Sequence, residues 1–429
     1  MTVVDRPATY REVFAEPSFR ALFVARTLAI GANSLQIFAL SVLVYTGTGS
    51  ALLSALAFGA GFLPQVVGGL LLGSLTDRLR PRPLIVAGYA VEALLAAALG
   101  LLDLPVAASL SLVAVVACGT PVFAGAAARV IAEQLTGDAY VLGRSVSNMS
   151  SSAAQLLGLA GGGVAVAAAG PRHALLFAAA CHVAAAVLVR FGLGSGGGEV
   201  RSRGGAVRSG GGAVRSGGGA VRSRGGAVLS RGGAVRDSLA GASALFGDRA
   251  IRRLLLAQWL PSAFAAGAEA LLVAYAGRRG FPPGSGAVLM AAPAAGMLLG
   301  NFVAGRFLRP TLRERLAGPF LFLLGIPLIA VLAAPPLPVL AVLLVIAGTG
   351  FAYGLGLQRA FLAAAPEARR GQLFALLSTG MMALQGLSPL LLGTVAELTS
   401  PALAIASAGA ATVLVAPLLL RVRPSSTAP

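Results

Sequence analysis

GLLLGSLTDRLRPRPL, residues 69–84, decides the fold. An apolar run passes without pause into Gly73, Asp77, Arg78, Arg80 and Arg82, and a second apolar run follows at once from Leu84. Such a junction is a short hairpin between two bilayer-crossing helices, and its arginines assign it to the cytoplasmic side, where basic residues accumulate in membrane proteins. The rest of the chain has the same character. Its 429 residues are 57% hydrophobic and only 11% charged, with a mean hydropathy of +0.85. That composition excludes a water-soluble globule around one core and reads as a polytopic, all-α membrane protein. A formal charge of +18 would suggest nucleic acid in a soluble chain. Here the arginines lie between apolar runs, so topology accounts for the charge and no nucleic-acid partner is expected.

Twelve apolar segments come near the roughly 20 residues that a crossing needs. They run Phe19–Tyr45, Ala51–Leu75, Leu84–Leu102, Val106–Arg129, Ser145–Ala169 and His173–Phe191, then Arg252–Ala276, Ser285–Phe307, Leu316–Ala334, Leu337–Leu362, Gly371–Glu397 and Ala402–Leu420. This divides the chain into an N-terminal tail (1–18), a first six-helix bundle (19–193), a linker (194–248), a second six-helix bundle (249–421) and a short tail (422–429). With the N-terminus in the cytoplasm, the inner turns carry Arg78, Arg80, Arg82, Arg144, Arg306, Arg309, Arg313, Arg315, Arg369 and Arg370. The outer turns carry Arg172, Arg278 and Arg279. The expectation is a multi-pass plasma (inner) membrane protein with both termini cytoplasmic.

Several functions are excluded by residues the chain lacks or leaves scattered. It contains no lysine, so it has neither a lysine-bearing phosphate loop nor a Schiff-base lysine. Cys118 and Cys181 fall in apolar segments and read as small buried hydrophobes, and His173 and His182 make no metal motif. No cofactor, metal or enzymatic nucleophile and base pair is expected. The opening residues lack a cleavable signal pattern. In the linker, GGAV recurs every seven residues from Gly204 to Gly232. Paired glycines make a helix costly there, and the stretch reads as a flexible basic tether.

The two halves repeat each other. EPSFRALFVARTL (16–28) resembles GDRAIRRLLLAQWL (247–260), placing Arg26 and Gln258 at similar depth; GLLLG before Asp77 matches GMLLG at 296–300; QLLGLAGGG from Gln155 matches QGLSPLLLG from Gln385. Two parallel bundles follow, with a substrate site between them near the midplane. Polar groups inside spans are the candidates to line it. Arg26, Asn33 and Gln36 fall within about 80° on a helical wheel. Glu92 and Glu269 are intramembrane carboxylates, costly when charged and therefore candidates for proton exchange. Gln258, Trp259, Glu269 and Tyr275 would give the seventh segment groups suited to an amphipathic substrate. A carboxylate at a cytoplasmic mouth, such as Asp77, can meet a helix N-terminus in one conformation and lose it in another, which makes it a latch.

Gly73, Leu75, Asp77, Arg78 and Arg82 fit the G-x-L-x-D-R-x-x-R-R loop between the second and third helices of the major facilitator superfamily, and the resemblance covers nearly the whole chain. Arg80 and Pro81 stand where that loop often has Gly-Arg. The resemblance is to bacterial drug and metabolite exporters of the actinobacterial type. It implies that Asp77 faces the start of the eleventh helix, that helices one, five, seven and eleven line the cavity, and that the third helix with Glu92 is a peripheral support. Many such exporters carry an acid near the position of Asn33, which this chain lacks. Gly158, Gly161, Gly162 and Gly163 resemble the antiporters' glycine-rich fifth helix, with Leu159 in place of its proline. The expectation is a monomeric secondary transporter that exports hydrophobic or amphipathic small molecules by alternating access, with proton antiport as an option. An importer or uniporter, or a non-transporting receptor of the same fold, is the alternative.

Overall fold

The computed structural model describes residues 9–72, 79–135, 138–193, 243–282, 284–364 and 370–420, and every regular element among them is helical. Gly73, Asp77 and Arg78 of the hairpin, and residues 194–242 of the linker, lie outside the described residues.

End signals in the sequence set the helix limits. α1 (Tyr10–Ala15) starts at a capping box, in which Thr9 Oγ1 accepts from Glu12 N at 3.4 Å and the Glu12 carboxylate accepts from Thr9 N at 3.3 Å. α2 (Pro17–Thr48) begins at a proline and stops at Gly49, whose φ of 66° lets its N–H donate to the Tyr45 carbonyl at 2.8 Å. Ser50 caps α3 (Ala51–Gly59), its hydroxyl accepting from Leu53 N at 3.2 Å. α4 (Phe62–Leu72), α5 (Pro81–Leu101), α6 (Val106–Gln134) and α7 (Asp138–Gly192) follow. The second part of the chain opens with α8 (Arg249–Ala270), capped by the Asp248 carboxylate, and continues through α9 (Leu272–Arg278), α10 (Ser285–Phe307) and α11 (Pro310–Ile329). α12 (Leu337–Thr349), α13 (Tyr353–Ala364), α14 (Arg370–Leu398) and α15 (Pro401–Leu420) end it.

Among the described residues, ten helical stretches are long and apolar enough to cross a membrane, and Pro401–Pro417 is a shorter apolar helix. Large apolar side chains such as Leu94, Val115, Leu157 and Leu414 point outward on these helices, the arrangement a hydrocarbon solvent favours. α7 comprises 55 residues, which as one straight helix would run roughly 80 Å at 1.5 Å per residue against a hydrocarbon core of about 30 Å. Gly170, at φ 83° and ψ 164°, and Pro171 break it where the sequence expects a turn between two segments.

Three expected spans are interrupted. The segment expected to be helical without a break over 51–75 turns at residues 60–61, because Pro64 lacks the N–H that would bond the Ala60 carbonyl. At Leu271, between α8 and α9, one N–H is shared by the carbonyls of Ala268 and Glu269. Between α12 and α13 the turn tightens to a 3₁₀ helix over Gly350–Ala352.

Packing differs between the two ends of the molecule. At the end carrying Arg80 and Arg82, one apolar cluster (including Val13, Phe19, Leu22, Ile85 and Val189) belongs wholly to the first part of the chain. Another, including Ile251, Leu254, Trp259, Phe361 and Leu373, belongs wholly to the second. At the opposite end, one cluster joins Ala51, Ala55 and Phe58 to Leu271, Val273, Leu289, Ala396 and Ile405, beside another, including Val44, Leu99 and Leu175, that stays within the first part. There α14 packs on α3 and α10 packs on α7. Glycines permit this approach: a Cβ on Gly163 would overlap the Ala287 side chain, and one on Gly158 would overlap the Gly31 carbonyl within the first part.

Candidate functional site

A cavity of about 540 Å³ lies between the two parts of the chain. On α2 its wall runs from Arg26 to Leu40, about 20 Å along the axis, so it occupies the middle of the helices rather than a surface dimple. The volume falls in the usual range for small-molecule sites.

The structure brings together most of the polar residues singled out from sequence. Arg26, Asn33 and Gln36 of α2, Gln155 of α7, Glu269 of α8 and Gln385 of α14 all line this one cavity. Their shared face on α2 follows from the 3.6-residue period. Glu269 has no ion-pair partner among the described residues.

Glu92 lies on the cavity wall as well, its carboxylate accepting from the Thr120 hydroxyl at 3.4 Å. α5 therefore lines the site instead of supporting it from outside, contrary to what the resemblance implied. Ile85, Gly88, Glu92 and Leu95 face the space at i, i+3 and i+4 spacing, a stripe that could have been read from the sequence. The cavity also draws on α3, α4, α6 and α10, and on the 3₁₀ turn at Phe351, beyond the four segments expected.

Two candidates stand elsewhere. Tyr275 is buried in the apolar cluster against Phe281, with ring centroids 6.3 Å apart. Six residues separate it from Glu269, which on a helix turns it about 120° away, and the break at Leu271 adds to the divergence. Gln258 is half-buried, and its backbone carbonyl accepts from the Tyr353 hydroxyl at 3.0 Å. Ser262, one turn further along α8, lines the cavity in its stead and bonds the same tyrosine hydroxyl at 3.1 Å.

His182 makes no metal motif in the sequence. It lines the cavity at 2% exposure, with neither ring nitrogen finding a hydrogen-bond partner among the described residues. Gln36, at 4% exposure, likewise leaves its side-chain oxygen unpaired. Being polar inside an apolar span was the one signal available for His182. Phe58, Phe62, Phe123 and Phe351 supply flat apolar walls. Carboxylates, amides and rings around one volume can hold a molecule with an apolar body and polar or cationic ends.

Of the hairpin residues, the structure describes Arg80 and Arg82. Arg80 precedes α5, and the Arg82 guanidinium donates to the Arg190 carbonyl at the end of α7, a favourable place for a cation.

The family model described as Major Facilitator Superfamily matches residues 22–363. Among solved structures, the chain is similar to a POT family transporter in complex with a thioalcohol-conjugated peptide, at TM-score 0.68 and 11% identity over 96% of each chain. It is also similar to a bacterial homologue of the human lysosomal transporter Spinster in an inward-facing, occupied conformation, at TM-score 0.63 and 15% identity over 96% of each chain. A third, a peptide transporter POT in complex with sulfate, aligns at TM-score 0.65 and 16% identity, over 98% of this chain and 96% of that one. No curated protein matches the sequence.

Proposed function

The chain belongs to the major facilitator superfamily, and from that premise we propose that it is a secondary active exporter of amphipathic small molecules, a transporter and not an enzyme. Its membrane embedding follows from the family and the apolar helices. We count twelve crossings, taking the limbs of α7 on either side of Gly170 separately and adding α15 to the ten long stretches. We divide them into bundles at 19–193 and 249–421, with both termini, the 194–248 linker and the arginine-rich end in the cytoplasm of a plasma-membrane protein. Alternating access then amounts to rocking of one bundle on the other about the central cavity.

The observation that carries this reading is the cavity itself: two carboxylates, amide side chains and four phenylalanines around one volume midway along the helices, between the two parts of the chain. Glu269 is the proposed coupling acid, because it faces the cavity with no ion-pair partner among the described residues. Protonation from one side and release to the other would tie substrate exit to proton entry. Gly73, Asp77, Arg78 and Arg82 keep the latch role that physics and resemblance assign to their loop.

The test is efflux of ethidium from cells expressing the chain, with and without a proton uncoupler. Uncoupler-sensitive efflux that falls at least tenfold in Glu269→Gln supports a proton-coupled exporter. Efflux by the unmutated protein that ignores the uncoupler removes the coupling assignment, and absence of efflux with the protein folded in the membrane removes export of such compounds.

A further inference from the structure

Glu397 lies in the last turn of α14, where the helix's own dipole disfavours an anion. Its carboxylate is satisfied across the boundary between the two parts of the chain. Oε2 accepts from the Ser50 hydroxyl at 3.1 Å and from the backbone N–H of Leu52 at 3.2 Å. It therefore occupies the N-terminus of α3, where the backbone offers unpaired donors and a positive field. Two arginines near this end are engaged elsewhere: Arg279 donates to the Ala334 carbonyl at 2.7 Å, and Arg172 pairs with Asp103. The acid thus holds a helix end belonging to the other part of the chain, and does so with charge-assisted bonds, stronger than neutral ones.

We propose that Glu397 is a conformational latch for the end of the transporter opposite the arginines: its contact with Ser50 and the α3 N-terminus holds that end shut and must break each time the end opens. The proposal rests on the alternating-access reading above. The position gives it a logic of exchange. Asp77 follows the second span and is assigned to the start of the eleventh, whereas Glu397 ends the eleventh span and holds the start of the second. The same two spans would carry one carboxylate latch at each end, each released when the other engages. Beneath Glu397 the seam is tight: Ala55 is fully buried, and a Cβ on Gly393 of α14 would meet the Ala55 methyl at 3.2 Å.

The experiment uses the full chain in membranes with the natural Cys118 and Cys181 replaced by alanine, both being unpaired and half-buried. Ala55→Cys reports opening of the seam to a membrane-impermeant maleimide added on the Glu397 side, and in a separate variant Gln65→Cys reports cavity access from the arginine side. Glu397→Gln should raise Ala55→Cys labelling about fivefold to tenfold, the size expected for losing a helix-end anchor, and lower Gln65→Cys labelling. Ser50→Ala should do the same to a smaller degree. Unchanged labelling of Ala55→Cys overturns the latch, and so does a rise at both positions, which marks general loosening. Ethidium efflux by the unmutated chain judges the transport reading separately, whatever the labelling shows.

Discussion

The two ends of this molecule are built differently from similar material. At the Glu397 end, α3 lies on α14, α7 lies on α10, and one apolar cluster runs unbroken through both parts of the chain. At the arginine end, the described apolar clusters stop at the boundary, each part burying its own phenylalanines and leucines. The difference teaches which contacts hold the fold and which hold a conformation. A cluster confined to one part survives any rocking of the parts, but a cluster that spans both must be dismantled when its end opens. In a transporter, the second kind sets the equilibrium between states.

Two neighbouring glycines on α7 separate these kinds most sharply. A Cβ on Gly163 would run into Ala287 of α10, across the boundary, and one on Gly158 would run into the Gly31 carbonyl of α2, inside the first part. Gly163→Leu should cost the shut conformation about 1–3 kcal/mol through overpacking. Ala55→Cys labelling should then rise by about tenfold or more, beyond the effect of Glu397→Gln. Gly158→Ala should lower the melting temperature of the purified protein and leave that labelling alone. Equal labelling in the two variants would mean that the boundary does not separate moving bodies.

What was legible in advance follows the same division. The bilayer imposes length and polarity on every crossing helix, so the spans around 69–84 and the turn at Gly170–Pro171 could be read from apolar runs and their punctuation. The period of 3.6 residues likewise put Arg26, Asn33 and Gln36 on one face, and one cavity receives all three. The breaks at residues 60–61 and Leu271 were not legible, since a proline or an apolar residue inside a span can be absorbed or can stop the helix according to its neighbours. Tyr275 was grouped with Glu269 by nearness in sequence, and the break between them sends the two to different surroundings. The stripe on α5 could be read from its spacing, but that this stripe and α6 face the cavity depended on which helix leans on which, and a single chain's apolar pattern does not encode that.

His182 tests whether the cavity, too, holds function at the expense of stability. A buried polar side chain without a partner costs about 1–3 kcal/mol, and an apolar replacement of similar size removes that cost. His182→Leu is therefore expected to melt at the same temperature as the parent or a few degrees higher, while ethidium efflux falls severalfold. A melting temperature lowered by several degrees would make His182 a packing residue.

The smallest effect belongs to Asp103 and Arg172, an exposed ion pair that joins the loop after α5 to the helix after Gly170 within the first part of the chain. The Arg172 guanidinium, by hydrogen bond and charge, holds the Asp103 carboxyl below its ordinary value of 3.8. For a carboxyl depressed in the folded state, the stabilising contribution is complete above the unfolded value and is lost as pH falls through the lower folded one. Asp103→Asn should lower the melting temperature slightly at pH 7, and the gap to the parent should close only as pH drops below about 4. Although the pair sits near the same end as Glu397, both partners move with one body. Seam labelling at Ala55→Cys should therefore be indifferent to Asp103→Asn, and a rise matching that of Glu397→Gln would show that any charge removed from this end opens it, stripping Glu397 of its special place.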